Sequence, residues 1–266
     1  MSPTLTETEY DLEEAERNLV TEDDEPVDNM FSAKQQRLLV EPLYASWTPP
    51  PSEDDEDRSP EPRDFLADAN VGIFFSIGQK PLVPDMFLSL DVKVNPEWIA
   101  DQHRSYFVWR FGKVPDVVVE IVSNRKGGEM ESKRKRYAQI GVPYYIVYDP
   151  YQILKGDDLY VYEIGFGKRY RRRDEFTLPS VGLGVTLWPG RYEEGDAIWL
   201  RWLDDKGVLI PTGKERSDMA EQRASEAEQV AAREAEARRR AEAELAQLRT
   251  EMERLRQPAP PPSKSG

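Results

Sequence analysis

The sequence predicts an α/β domain in which a mixed sheet is flanked by helices, followed by one long carboxy-terminal helix. First, residues 117–122 are almost continuously β-branched, as in a strand that is covered on both faces. Second, residues 128–140 have helical spacing and residues 144–148 form another apolar run, which together predict a strand, helix, strand unit. Third, residues 214–256 contain neither glycine nor proline and are rich in helix-forming residues.

The composition limits the chain to one sizeable core and excludes two kinds of site. A chain of 266 residues with 39% hydrophobic content can bury one such core. The absence of cysteine and the single histidine, His103, exclude a disulfide scaffold and a Cys/His zinc site, and a lone loop histidine is a weak catalytic candidate. Without a long apolar run or a signal-like amino terminus, we expect a soluble cytoplasmic protein.

The formal net charge of −14 is concentrated at the amino terminus. Residues 1–62 hold 18 acidic and 4 basic residues, so the rest of the chain is balanced, with 32 of each sign. The acidic runs Glu7–Asp28 and Glu53–Glu61 favour solvated chain, and residues 1–27 are predicted to be a disordered arm. The alternative is that the acidic runs imitate nucleic-acid charge and screen the site.

Before residue 115, the pattern predicts one helix and three strands. Apolar spacing indicates an amphipathic helix over Asn29–Trp47, which Pro42 is expected to bend or end. Asn70–Ile77 and Val83–Leu90 are predicted to be antiparallel strands, followed by an irregular segment with another strand at Ser105–Phe111. The aromatic residues of that segment are expected to be packing residues rather than base-stacking platforms.

Glu120 is the acidic residue that the strand pattern indicates as a functional candidate, and Asp85 is a second carboxylate near the start of a predicted strand. Asp85 follows a proline at a strand start, where the residues alone favour a turn role. Glu120 lies inside the apolar run, and strand alternation places it on the face of Asp116 and Val118. A buried carboxylate there is either paired with Lys133 or a metal ligand, since two carboxylates and a backbone carbonyl suit Mg²⁺ or Mn²⁺.

The helix over residues 129–140 is predicted to bring an amine to this carboxylate. Its sheet-facing stripe includes Lys133 and Tyr137, and Gly141 is placed to end it. The alternative is that the aliphatic stem of Lys133 packs against the sheet while its amine reaches water. Lys135 is a second candidate for the lysine that acts with Glu120. The basic residues Arg125, Lys126 and Arg134–Arg136 are equally consistent with a solvated face and with phosphate contacts.

The residues just described resemble a known signature over roughly residues 28–200. The run PDVVVEIVSN, the helix pattern KxxxY and the run GVPYYIVYDP are similar to the Uma-two family of restriction endonucleases, a branch of the PD-(D/E)xK nuclease superfamily. The resemblance implies that Asp85 and Glu120 bind the divalent metal. It also implies that Lys133 assists the attacking water, because the usual lysine position holds Val122.

After Pro150 the pattern predicts further strands and then one long helix with a heptad pattern. A hairpin is expected from Leu159–Ile164 and Arg169–Phe176, followed by strands at Leu183–Trp188 and Ile198–Leu203. Solvation is favoured for Arg171–Arg173 at the return of the hairpin, and contact with the substrate is the alternative. In residues 213–257, apolar residues recur in a heptad seam that is alanine-rich first and leucine-rich at the end. This favours a coiled coil and a homodimer; the alternative is a single charged helix. Residues 258–266 are predicted to be a disordered tail.

The sequence pattern and the resemblance together predict a restriction-endonuclease-like domain over residues 28–212. The resemblance implies that this domain acts on nucleic acid, with DNA favoured, as a Mg²⁺-dependent endonuclease. Two rival interpretations remain. A catalytically inactive nucleic-acid-binding module is suggested by Val122, and a scaffold protein would use the coiled coil as its working part.

Overall fold

The computed structural model describes residues 29–51, 62–93, 105–123 and 128–256. The predictions for the acidic arm and the second acidic run, for His103, for Arg125 and Lys126, and for the tail after residue 257 concern residues outside these ranges. Within them, no helix is both long and apolar enough to cross a membrane.

The structure contains four helices and eleven strands in its described residues. The helices are α1 (Met30–Ser46), α2 (Val108–Phe111), α3 (Gly128–Ile140) and α4 (Gly213–Arg256). The strands are β1 (Phe65–Asp68), β2 (Ile73–Phe74), β3 (Met86–Leu90), β4 (Tyr106–Phe107), β5 (Val117–Ile121), β6 (Tyr144–Tyr148), β7 (Leu159–Gly165), β8 (Arg169–Arg172), β9 (Thr177–Leu178), β10 (Leu183–Tyr192) and β11 (Gly195–Leu203). The predicted fold class, a mixed sheet flanked by helices with a long carboxy-terminal helix, is confirmed.

The main sheet has six strands in the order β1-β3-β5-β6-β7-β8. β5 and β6 pair in parallel across the α3 crossover, whereas the other neighbouring pairs are antiparallel. β9, β10 and β11 form a second sheet, and β2 and β4 form a short parallel pair. The predicted strand, helix, strand unit therefore lies at the centre of the main sheet.

The two faces of β5 belong to different parts of the core. Val117, Val119 and Ile121 pack in one apolar cluster with residues of α1 and of the second sheet. Val118 and Val122 pack on the opposite face with Tyr137 of α3. Since side chains alternate along a strand, Glu120 points to the α3 face, as the alternation predicted.

Helix α1 covers nearly all of the predicted Asn29–Trp47 segment, and Pro42 does not end it. The Asn29 side chain caps the helix by accepting a hydrogen bond from the Ser32 N–H (3.0 Å), and the helix continues past Pro42 to Ser46. Proline removes one backbone donor, but the ring of Pro42 is buried together with Leu39 and Leu43. Packing of this face against the sheet therefore maintains the helix across the proline.

The predicted pairing of the early strands is wrong. Asn70–Ile77 contributes only β2, which pairs in parallel with β4, and its contact with the segment before β3 is one isolated bridge at Leu82. The antiparallel neighbour of β3 is β1, which the sequence pattern did not predict. Similarly, the strand expected at Ser105–Phe111 is two residues of β4 followed by the short helix α2.

The chain divides into two compact units after Gly213. In the second unit, α4 forms salt bridges between successive turns, including Lys214–Asp218 and Arg238–Glu242. Every described side chain from 216 to 254 is exposed. The side chains of the heptad seam are therefore exposed from residue 216 to residue 254, and pairing of the seam with a second chain stays a prediction.

Candidate active site

Asp85 and Glu120 come from neighbouring strands of the main sheet and lie at the same level. Asp85 immediately precedes β3, and the β3–β5 register pairs Met86 with Val119. One step further along this antiparallel register, the partner of position 85 is position 120. The strand pairing thus brings together two carboxylates that are 35 positions apart in the sequence.

Glu120 is buried and both of its carboxylate oxygens accept hydrogen bonds from α3. Its side chain is 4% exposed. Oε2 accepts from the Lys133 Nζ at 2.8 Å, and Oε1 accepts from the Tyr137 hydroxyl at 3.0 Å. Residues four apart on a helix lie on the same side, so Lys133 and Tyr137 meet the carboxylate together.

Lys133 reaches the site from the surface, and Lys135 does not. The side chain of Lys133 is 25% exposed, and its Nζ donates a second hydrogen bond to the Val83 carbonyl at 3.2 Å. Lys135 is exposed and pairs with Glu131 at 3.0 Å on its own helix. Between the two lysines, only Lys133 is therefore positioned to act with Glu120. At the usual lysine position, Val122 is buried in the apolar cluster beneath α3.

Asp85 is held by a backbone amide and by a residue that the sequence analysis missed. Oδ2 accepts the Ile121 N–H at 2.5 Å, and Oδ1 accepts the Gln36 Nε2 at 3.3 Å. The Asn70 Nδ2 donates in turn to the Gln36 Oε1 at 3.0 Å. Gln36 lies on α1 and is 6% exposed. The sequence feature that could have indicated Gln36 is the pair of adjacent glutamines in an otherwise leucine-rich part of the amphipathic helix. No local pattern connects this pair to Asp85.

Asp116 shares the face of Glu120 but has a structural role. Its Oδ2 accepts the Leu90 N–H at 2.8 Å and the Lys113 Nζ at 2.7 Å. These contacts join the end of β3 to the start of β5, at the opposite end of those strands from Asp85 and Glu120. Asp116 is therefore not part of the candidate site.

Burial and the neighbouring carboxylate oppose ionisation of Glu120. Burial raises the pKa of Glu120 to about 7, and the charge of Asp85 acts in the same direction, although the Lys133 ammonium lowers it. Burial also raises the pKa of Tyr137 well above its ordinary value, so its hydroxyl is a neutral donor. A cation beside the two carboxylates would favour their ionised forms.

The donor set at this position fits a hard divalent cation. Asp85 and Glu120 supply carboxylate oxygens, the ligand type that Mg²⁺ and Mn²⁺ prefer, and water and backbone oxygens commonly complete such sites. The described residues contain no cluster of three or more His, Cys, Asp or Glu side chains suited to a metal ion. A metal here would therefore depend on two protein carboxylates.

The basic residues around the site are not uniformly solvated. Arg134 is half-buried with its guanidinium 5.2 Å from the Tyr162 ring centre, and Arg136 donates to the Lys80 carbonyl at 2.6 Å. On β8, Arg172 lies 4.7 Å from the Tyr160 ring centre and pairs with Asp157. By contrast, Tyr106 and Phe107 are buried, as the packing prediction required.

Comparison with known proteins agrees with the predicted resemblance. Residues 55–181 match the Uma2 family model, described as "Putative restriction endonuclease". Among solved structures, the crystal structure of a "putative nuclease belonging to DUF820" from Anabaena variabilis is similar at 15% identity and a TM-score of 0.35, over 62% of this chain and 75% of that chain. No curated protein matches the sequence. The resemblance to the Uma-two family is confirmed over the matched segment, which contains Asp85, Glu120 and Lys133 but not Gln36.

Proposed function

We propose, from the match of residues 55–181 to the Uma2 family model, that the chain is a metal-dependent endonuclease that hydrolyses nucleic-acid phosphodiester bonds, with DNA as the favoured substrate. The main support is one geometric observation. Two carboxylates from paired strands lie at one level of the sheet, with the Lys133 amine 2.8 Å from one of them. This combination has the charge and donor types that phosphoryl hydrolysis requires.

Asp85 and Glu120 are the proposed metal ligands. A bound Mg²⁺ or Mn²⁺ would supply Lewis-acid chemistry, lowering the pKa of a coordinated water and stabilising charge on the phosphate. Hydrogen bonds from the chain hold both proposed ligands in place. The Ile121 N–H and Gln36 fix the carboxylate of Asp85, and Tyr137 and Lys133 fix that of Glu120.

Lys133 is proposed to orient the attacking water and to stabilise phosphate charge. To act as a general base at neutral pH, a lysine needs a lowered pKa, and the adjacent carboxylates oppose that shift. The ammonium form already donates to Glu120 and to the Val83 carbonyl. A donor role therefore agrees better with the geometry than proton abstraction does.

Metal titration and cleavage of the same samples would test this proposal. Asp85→Asn and Glu120→Gln preserve shape but remove a carboxylate, so we expect each to abolish Mn²⁺ binding measured by calorimetry. We also expect each to lower cleavage of plasmid and single-stranded DNA by about a hundredfold or more. Asp91→Asn is the matched control, because Asp91 follows β3 at its other end, is half-exposed and has a positive φ of 58° that asparagine accepts.

Each contrary outcome selects a different alternative. Wild-type protein that binds nucleic acid but neither binds metal nor cleaves would be an inactive nuclease-like binding module, in line with Val122 at the usual lysine position. Wild-type protein that shows none of the three activities would favour the scaffold interpretation. Equal losses in Asp91→Asn would show that the effect is not specific to the two ligands.

A further inference from the structure

A row of paired residues connects Glu120 to an aromatic surface on the outer strands. Glu120 pairs with Val147 across β5 and β6, and Val147 pairs with Tyr160 across β6 and β7. Directly paired residues point to the same face of a sheet, so Tyr160 shares the face of Glu120. Two strand spacings separate their backbones, which is about 10 Å.

Tyr160 and Tyr162 form a parallel pair with an arginine beside each ring. Their ring centres are 6.3 Å apart and their planes differ by 6°. The Arg172 guanidinium lies 4.7 Å from the Tyr160 ring centre, and the Arg134 guanidinium lies 5.2 Å from that of Tyr162. We name these four residues the Tyr–Arg platform. Both tyrosines are half-buried, and Arg172 is exposed.

The surrounding chain positions the platform. A Cβ atom at Gly156 would lie 2.0 Å from the Tyr160 hydroxyl, so the hydroxyl occupies space that only glycine leaves open. Asp157 pairs with Arg172 and holds its guanidinium near the ring. The Asp157 side chain is 64% accessible, and a phosphate can accept two parallel hydrogen bonds from a guanidinium, so a phosphate can compete with Asp157 for Arg172.

Packing accounts for the buried edges of these rings, whereas Arg134 of α3 and Arg172 of β8 add a positive charge beside each ring. A guanidinium on a tyrosine ring offers its outer face to another flat group, and nucleobases stack on both aromatic rings and guanidinium planes. Its positive charge attracts the phosphate of the same nucleotide. Bases inside a duplex already stack on one another, so this chemistry favours bases that are unpaired.

We propose that the Tyr–Arg platform binds unpaired bases of a nucleic-acid strand while Asp85 and Glu120 face a phosphate of that strand. The inference rests on the proposed nuclease function and defines its substrate class as single-stranded or locally opened nucleic acid. The platform supplies stacking and charge, and the two carboxylates supply the reaction centre.

The test measures binding separately from cleavage, with a chelator present so that no strand is cut. The probes are a fluorescent oligothymidylate, a blunt duplex of the same length, and a single strand containing 2-aminopurine, whose fluorescence falls on stacking. Arg172→Gln removes the guanidinium from Tyr160, and Arg169→Gln removes the same charge from the other end of β8. Gly156→Ala displaces the Tyr160 ring without changing any charge, and a thermal melt checks the fold of each variant.

We expect wild-type protein to bind the single strand more tightly than the duplex and to quench 2-aminopurine. Arg172→Gln and Gly156→Ala are expected to lower single-strand affinity about tenfold and to reduce quenching, with a much smaller effect from Arg169→Gln. Tighter duplex binding, absent quenching, or equal effects of the two arginine variants would overturn the platform. Intact single-strand binding without metal-dependent cleavage would instead contradict the nuclease proposal and leave the platform standing.

Discussion

Burial and the Lys133 ammonium have opposite effects on the ionisation of Glu120. Burial favours the neutral carboxylic acid, whereas the ammonium 2.8 Å away favours the carboxylate. With Val122 packed in the apolar cluster, the amine has to come from the helix above the strand. The Lys133–Glu120 pair therefore places a lysine beside the buried carboxylate although the usual strand position is aliphatic.

The pH dependence of stability follows from the direction of the Glu120 shift. Its folded pKa, about 7, is above the unfolded value of 4.5. The stability contributed by its proton is thus fully present below about pH 4.5 and is lost as the pH rises through about 7. Since Lys133 lowers the pKa of Glu120, Lys133→Met is expected to raise the pKa of Glu120 further. The loss of stability with rising pH would then extend to higher pH. We expect the variant to lose about 3 kcal/mol at about pH 9 and clearly less at about pH 5, as measured by urea unfolding with a chelator present.

Lys135→Met is the matched control for that experiment. Lys135 lies on the same helix, and its salt bridge with Glu131 is exposed on both sides. Its loss is expected to change stability by less than about 0.5 kcal/mol at either pH. A Lys133→Met defect that is the same in acid and in alkali would show that the ion pair with Glu120 is not its cause.

Helix α1 completes both the site and the second sheet through two adjacent glutamines. Gln36 supports Asp85, whereas Gln35 is fully buried against β11. The Gln35 Nε2 donates to the Leu200 carbonyl at 2.8 Å, and its Oε1 accepts the Leu200 N–H at 2.9 Å. Because β11 is at the edge of its sheet, the amide takes the place of a neighbouring strand.

Replacing Gln35 by leucine is therefore expected to be costly although leucine favours helices. The change leaves the buried N–H and C=O of Leu200 without these partners, which costs about 3 kcal/mol in free energy of unfolding. Gln139→Leu, at an exposed position of α3, is expected to change stability by less than about 0.5 kcal/mol. Chemical denaturation of both variants measures the difference. Equal stabilities would mean that the β11 edge finds other partners.

At the scale of the whole molecule, the chain consists of two compact units that differ in secondary structure. The first, which ends at Gly213, contains the three sheets and the candidate site. The second contains α4, whose Leu245, Leu248 and Met252 are each about half-exposed. Exposed leucines in a heptad seam favour association of two chains, whereas salt bridges between successive turns also stabilise a single helix.

Truncation after Gly213 tests separately whether the first unit cleaves on its own and whether α4 dimerises the chain. We expect the truncated chain to retain cleavage activity and to be a monomer by light scattering, and the full chain of 30.7 kDa to be a dimer. Leu248→Glu, on the seam, is expected to dissociate the full chain, and Gln247→Glu, beside the seam, is not. A monomeric full chain would support the single charged helix, and cleavage lost on truncation would contradict an active site confined to the first unit.

The sequence by itself determined the local structure and much of the candidate site. β-branched runs, helical spacing and strand alternation predicted β5, α3 and β6, and they directed Glu120 and Lys133 to one face. These features depend on periodicity within short segments, which is readable without a structure. The long α4 was predictable for the same reason.

Only the tertiary structure decided which distant segments meet. It paired β3 with β1 rather than with Asn70–Ile77, brought Gln36 to Asp85, and aligned Tyr160 with Glu120 across β6. Each of these relations depends on strand register and on packing between elements far apart in the chain. A local pattern specifies which face a side chain occupies, but the partner across that face is selected by the energy of the whole core.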